Sequence, residues 1–101
     1  MTVDQIDGLF RADNVGTDLA LKEKTVVLKG IVNKLFIRDH LDIRYIIVTG
    51  TGRVTWSARC GFDKEAMSAF SRLNEGQAIT LRGKYDGYGK NIIFKDCTLL
   101  G

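Results

Sequence analysis

A chain of 101 residues, 45% hydrophobic and 27% charged, is enough for one core, too little for two, and too apolar for a disordered segment. No apolar run approaches the ~18 residues of a membrane-spanning helix. Residues 1–7 lack the basic and apolar stretches of a secretory signal, so the chain reads as cytoplasmic or as a trimmed exported domain. The net charge of +3 is uneven, because residues 1–23 set Asp4, Asp7, Asp13, Asp18 and Glu23 against only Arg11 and Lys22. An acidic leader on a basic body suits an anionic partner, and a solvated surface with a sign bias explains it equally well.

In chain order, Thr2-Val3-Asp4-Gln5 fits a capping box that opens a helix. Val3, Ile6, Leu9 and Phe10 then form one apolar stripe that must be buried. Asn14 to Gly16 breaks the helix, and residues 17–22 resume a short turn. From Thr25 to Ile37 the β-branched content predicts a long first strand. Gly30 in its interior predicts the bulge or coil that lets one strand serve two halves of a barrel. Residues 45–49 form the second strand, apolar on both sides, so either Ile46 and Val48 or Tyr45 and Ile47 must meet a cover. The leading helix is one candidate for that cover, and a second protein is another.

Gly50-Thr51-Gly52 predicts a turn into a third strand with Val54, Trp56, Ala58, Cys60 and Phe62 inward and Arg53, Thr55, Ser57 and Arg59 outward. Asp63 is placed to cap a helix bearing Ala66, Met67, Phe70 and Leu73, closed by Asn74-Glu75-Gly76. Residues 77–85 and 91–99 complete the strands around the Gly-rich turn 86–90. Five strands with a single helix between the third and fourth is the connectivity of the OB barrel. The fold class is therefore mainly β: a five-stranded OB-fold barrel (β-β-β-α-β-β) over residues 24–101, with an additional N-terminal helical segment, 1–23, packed on it as part of a single domain.

Short segments across the chain carry a resemblance. They are Asn14, the opening strand from Lys24 to Val32, Cys60-Gly61-Phe62, Leu73-Asn74-Glu75-Gly76-Gln77, Leu81-Arg82-Gly83-Lys84 and Asp96-Cys97. From about Leu9 to Leu99 the chain resembles the tRNA-anti-like OB-fold family of small bacterial domains. The resemblance implies the OB fold and, through the family name, nucleic-acid binding by analogy. It carries over no catalytic residue. Relatives often follow a signal or lipoprotein segment, and none is seen here.

The inventory argues against an enzyme. His40 is the only histidine, and nothing around it resembles a nucleophile elbow or a catalytic cysteine signature. Asp39, His40 and Asp42 contain metal-ligating types, but neighbouring side chains on an extended loop diverge, so a solvated turn is the better reading. Gly50-Thr51-Gly52-Arg53 lacks the lysine and length of a phosphate loop. No cofactor is expected.

A binding module fits better. OB domains bind across strands two and three, flanked by the one–two and four–five loops. The candidates there are Arg38, Arg44, Arg53, Thr55, Ser57, Arg59, Lys84, Tyr88 and Lys90, cations for phosphates and a tyrosine for stacking. They favour weak, sequence-tolerant binding of single-stranded nucleic acid. The alternative is a protein-interaction module that takes a peptide or a second copy through the groove or a sheet edge. Against the first reading, Trp56 and Phe62 share inward parity, and Asp39, Asp42 and Asp86 sit in the same loops. Cys60 and Cys97 match no zinc spacing; they are either buried thiols or a disulfide between neighbouring strands three and five.

Overall fold

The computed structural model describes residues 1–100. Its strands are β1 (Thr25–Arg38), β2 (Ile43–Thr49), β3 (Ala58–Gly61), β4 (Ala78–Tyr88) and β5 (Ile92–Leu99), and its helices are α1 (Val3–Ala12), α2 (Asn14–Leu21) and the single turn α3 (Met67–Phe70). The strands close in the order β1-β2-β3-β5-β4, with β3 and β5 parallel. This is the five-stranded OB-like barrel with an N-terminal helix. Closure pairs β1 with both β2 and β4, so the expected peptide route along a sheet edge finds no open edge among the described residues.

One long strand serves both halves of the barrel, but its irregularity lies at Asn33 and not at Gly30. Val32 pairs with Val48 and Lys34 with Ile47, which leaves Asn33 as the extra residue. The insertion reverses side-chain parity. Before it Val26, Leu28 and Val32 point inward; after it Leu35 and Ile37 do, and Phe36 turns outward. Gly30 has a different task. A Cβ there would lie 2.5 Å from Val48 Cγ1 and 2.6 Å from the Thr49 carbonyl, so only glycine lets β2 and α1 come this close.

A second bulge explains Cys97. Lys84 pairs with Lys95 and Arg82 with Thr98, giving β5 one residue more than β4, and Asp96 takes a left-handed φ of 51°. The bulge turns Cys97 into the core beneath Gly83, where a Cβ would meet its sulfur at 2.7 Å. Cys60 and Cys97 are both buried and free. A hydrogen bond with Cys97, then burial, pushes the Cys60 thiol well above its ordinary pKa, so Cys60 rests as an unreactive thiol.

The leading helix is part of this core. The Thr2–Gln5 capping box forms as expected, and Val3, Ile6 and Phe10 are buried with the barrel residues. Leu9, expected on the same stripe, is 45% exposed instead. The chain breaks at Asp13, which is extended, ends α1, and caps α2 through the Gly16 amide. The opposite end carries α3. Asp63 makes no cap bond there, and the expected helix shrinks to a 3-10 turn (Lys64–Ala66) and one α-turn. The backbone tightens because Arg72 and Leu73 bond three residues back. Phe70, stacked on Phe62 at 4.2 Å, is the buried anchor of this turn.

The third strand is shorter than expected, and α1 is the reason. Residues 50–57 do not pair with β2; the Thr51, Gly52, Thr55 and Trp56 amides turn to the helix. Asp4 accepts from the Thr51 and Gly52 amides and the Thr51 hydroxyl, and Asp7 from the Thr55 and Trp56 amides. Backbone donors bound to carboxylates cannot join a ladder. Asp18 in turn accepts the Tyr85 hydroxyl at 2.6 Å, and burial, then this bond, raises the Tyr85 phenol well above its ordinary pKa. Asp4, Asp7 and Asp18 of the leader are thus internal fasteners.

The Thr51 and Gly52 amides hold the Asp4 carboxyl below its ordinary 3.8. A carboxyl depressed in the folded state contributes stability that is complete above the unfolded value and lost as pH falls through the folded one. We therefore expect the urea midpoint to fall on acidification from about pH 5, and to fall less in Asp4→Asn. Identical acid limbs for the two proteins would remove Asp4 as a source.

Candidate functional site

The N-terminal helix leaves the outer sheet face open. It lies across the barrel end where β2 and β4 finish and β3 and β5 begin, because Val3 meets Gly30, the acids bind residues 51–56, and Phe10 packs on Trp56 and Tyr88. On β2 the ambiguity resolves, with Ile46 and Val48 buried inside and Tyr45 and Ile47 outside.

Across that outer face runs a line of rings and cations. The parity change at Asn33 sets Phe36 directly opposite Tyr45 in the register, and their rings stack at 5.0 Å with an interplanar angle of 16°. The Arg38 guanidinium lies 4.4 Å from the Phe36 centroid and the Lys34 ammonium 5.5 Å from it. From β3, the Arg59 guanidinium lies 4.1 Å from the Tyr45 centroid. Two half-buried aromatics and three exposed cations thus form one continuous strip over β1, β2 and β3.

The structure brings together only part of the expected set. Arg38 and Arg59 belong to the strip. Arg44 does not; its side chain is 6% exposed and bonds Asp39 at 2.9 Å and Asp42 at 2.5 Å. Hydrogen bonding to Asp42, ahead of Asp39, raises its pKa above the ordinary arginine value. The same pairing partly neutralises both loop carboxylates. Among the described residues no group of three metal-ligating side chains assembles.

Arg53, Thr55 and Ser57 were expected outward on β3, and all three fall in the irregular passage that α1 captures. Arg53 is exposed, Thr55 gives its amide to Asp7, and the Ser57 carbonyl accepts from Ile92. Tyr88 is the last residue of β4, and its ring is occupied by Phe10 at 5.3 Å and Trp56 at 5.7 Å. Lys84 lies outward on β4 in a hollow with Asp18 and Glu23, and Lys90 is exposed in the β4–β5 turn. Lys34 beside the one–two loop and Tyr45, the aromatic candidate on the second strand, complete the strip together with Phe36. Phe36 was invisible because a plain alternation through β1 gives it the wrong face.

The family model for tRNA_anti-like matches residues 1–98. The chain belongs to the tRNA_anti-like family. Among solved structures, this tRNA_anti-like chain resembles a protein of Klebsiella pneumoniae described as a "putative nucleic acid-binding lipoprotein", with a TM-score of 0.87 and 11% identity over 100% of this chain and 92% of that one. It also resembles OBody NL8, solved bound to hen egg-white lysozyme, with a TM-score of 0.55 and 16% identity over 77% of this chain and 94% of that one. At such identities the likeness is one of fold. No curated protein matches the sequence. No described helix is long and apolar enough to cross a membrane.

Proposed function

We propose that this tRNA_anti-like domain is a non-catalytic module that binds single-stranded nucleic acid across the outer face of β1, β2 and β3. The observation that carries the reading is the stacked Phe36–Tyr45 pair with Lys34, Arg38 and Arg59 against it. Bases stack without regard to sequence on aromatic rings and on guanidinium planes such as the two that cover these rings, and the cations neutralise the connecting phosphates. The stacking needs single strands, because a duplex hides its base faces. Membership of the family and the description of the Klebsiella relative support the same reading.

The test is fluorescence anisotropy with a labelled oligothymidine at several salt concentrations. Three phosphate contacts give a log–log salt slope of about −2 for single strands. Arg59→Ala should make that slope shallower by about one contact, whereas Phe36→Leu with Tyr45→Leu should weaken binding by ~1–3 kcal/mol per stacked base and leave the slope alone. No binding at low salt would sink the proposal.

A further inference from the structure

The strip ends at a hollow of about 380 Å³ on the outer face between β2, β3 and the β4–β5 hairpin. Its walls include Tyr45 and Arg59 on one side and Asp86, Ile93 and Lys95 on the other, with Gly61 directly opposite Tyr45 in the register. Gly61 is not demanded by the backbone. Its φ is not positive, and an added Cβ would meet only the Phe94 and Arg44 carbonyls at 3.6 and 3.8 Å, ordinary contact distances. This sets it apart from Gly30 and Gly83, where a Cβ collides. What a side chain at 61 would cost is the hollow itself.

The polar groups around the hollow are selective. Asp42 is committed to Arg44, but Asp86 is half exposed and held only by Lys95 at 3.7 Å. An ionised carboxylate accepts hydrogen bonds and donates none. Guanine alone among the bases sets two donors side by side, N1–H and the 2-amino group, to match two carboxylate oxygens. Its O6, next to N1–H, is an acceptor suited to an ammonium such as Lys95. Thymine and uracil flank their single N–H with two carbonyls, which a carboxylate repels.

Building on the strand-binding reading, we infer that this hollow is a base pocket that favours guanine: the ring lies over Gly61 against the Arg59 guanidinium that covers Tyr45, Asp86 accepts from its Watson–Crick edge, and Lys95 donates to O6. The module is then tolerant along the strip and selective at its end.

The experiment compares an oligothymidine of about nine nucleotides with the same oligomer carrying one central dG. Bidentate recognition of one base predicts at least about fivefold tighter binding of the dG oligomer. Asp86→Asn, which swaps one acceptor for a donor, should erase that ratio, and Gly61→Val, which fills the hollow, should erase it too. Equal affinities in the parent protein, or a ratio that survives both substitutions, would overturn the pocket while leaving the strip in place. If neither oligomer binds, the strand-binding reading fails first. The pocket is then judged alone by amide shifts at Gly61 and Asp86 with dGMP against dTMP, and equal responses to the two reject it.

Discussion

Asp7→Ala is expected to lower the free energy of unfolding by about 3 kcal/mol, from two part-buried donors left without an acceptor at roughly 1–3 kcal/mol each. Asp7 is 1% exposed, and its Oδ1 accepts both the Thr55 amide at 3.0 Å and the Trp56 amide at 2.8 Å, while Oδ2 takes Arg11. The Arg11 contact adds little, since that guanidinium is mostly in solvent. For a domain of this size the loss corresponds to a fall of about 12 °C or more in Tm. Asp7→Asn separates the causes. Asparagine keeps an oxygen for both amides and gives up only the Arg11 pairing, so it should retain more than half of the lost stability. Equal losses in the two variants would show that the negative charge, and not the acceptor, is what residues 55–56 require. Urea denaturation followed by circular dichroism reads the difference.

Phe10→Ala is the second large effect, at about 3–5 kcal/mol for an aromatic removed from a packed core. The ring is 2% exposed and meets Trp56 at 5.6 Å, Tyr85 at 6.3 Å and Tyr88 at 5.3 Å. Trp56 is the only tryptophan, so its emission should move to longer wavelength as the packing opens, alongside the fall in urea midpoint. Leu9→Ala, one position away on the exposed side of the same helix, should change stability by less than about 0.5 kcal/mol. If the two variants lose equally, helix formation alone, and not the plugging of the barrel end, accounts for the role of α1.

Much of the architecture is legible in the residues. The order of five strands, the capping box at Thr2, and the inward set Ala58, Cys60 and Phe62 follow from local pattern, because alternation and caps act over a few residues. The illegible parts are those decided at long range. The bulge at Asn33 has no marker of its own, and it alone determines that Phe36 joins Tyr45 outside. Val54 and Trp56 alternate well enough to read as strand, yet carboxylates 47 to 49 residues upstream take the amides of residues 51, 55 and 56. Arg44 and Tyr88 have the right residue types for a ligand, but their partners Asp39, Asp42, Phe10 and Trp56 had already claimed them. Of the nine expected contact residues, Arg38 and Arg59 sit on the strip.

The fastening of α1 and α2 to the barrel also bears on how the chain reaches this state. The first helix is made early and meets β1 through Val3, but its acids have no partners until residues 51–56 are present, and the Asp18–Tyr85 bond spans 67 residues. Closing such long loops must precede the contacts that reward it, which slows folding relative to a domain of local contacts. During synthesis on the ribosome, Phe10 at the end of the apolar stripe therefore stays uncovered until nearly all of the chain has emerged. That interval is when a chaperone would find it.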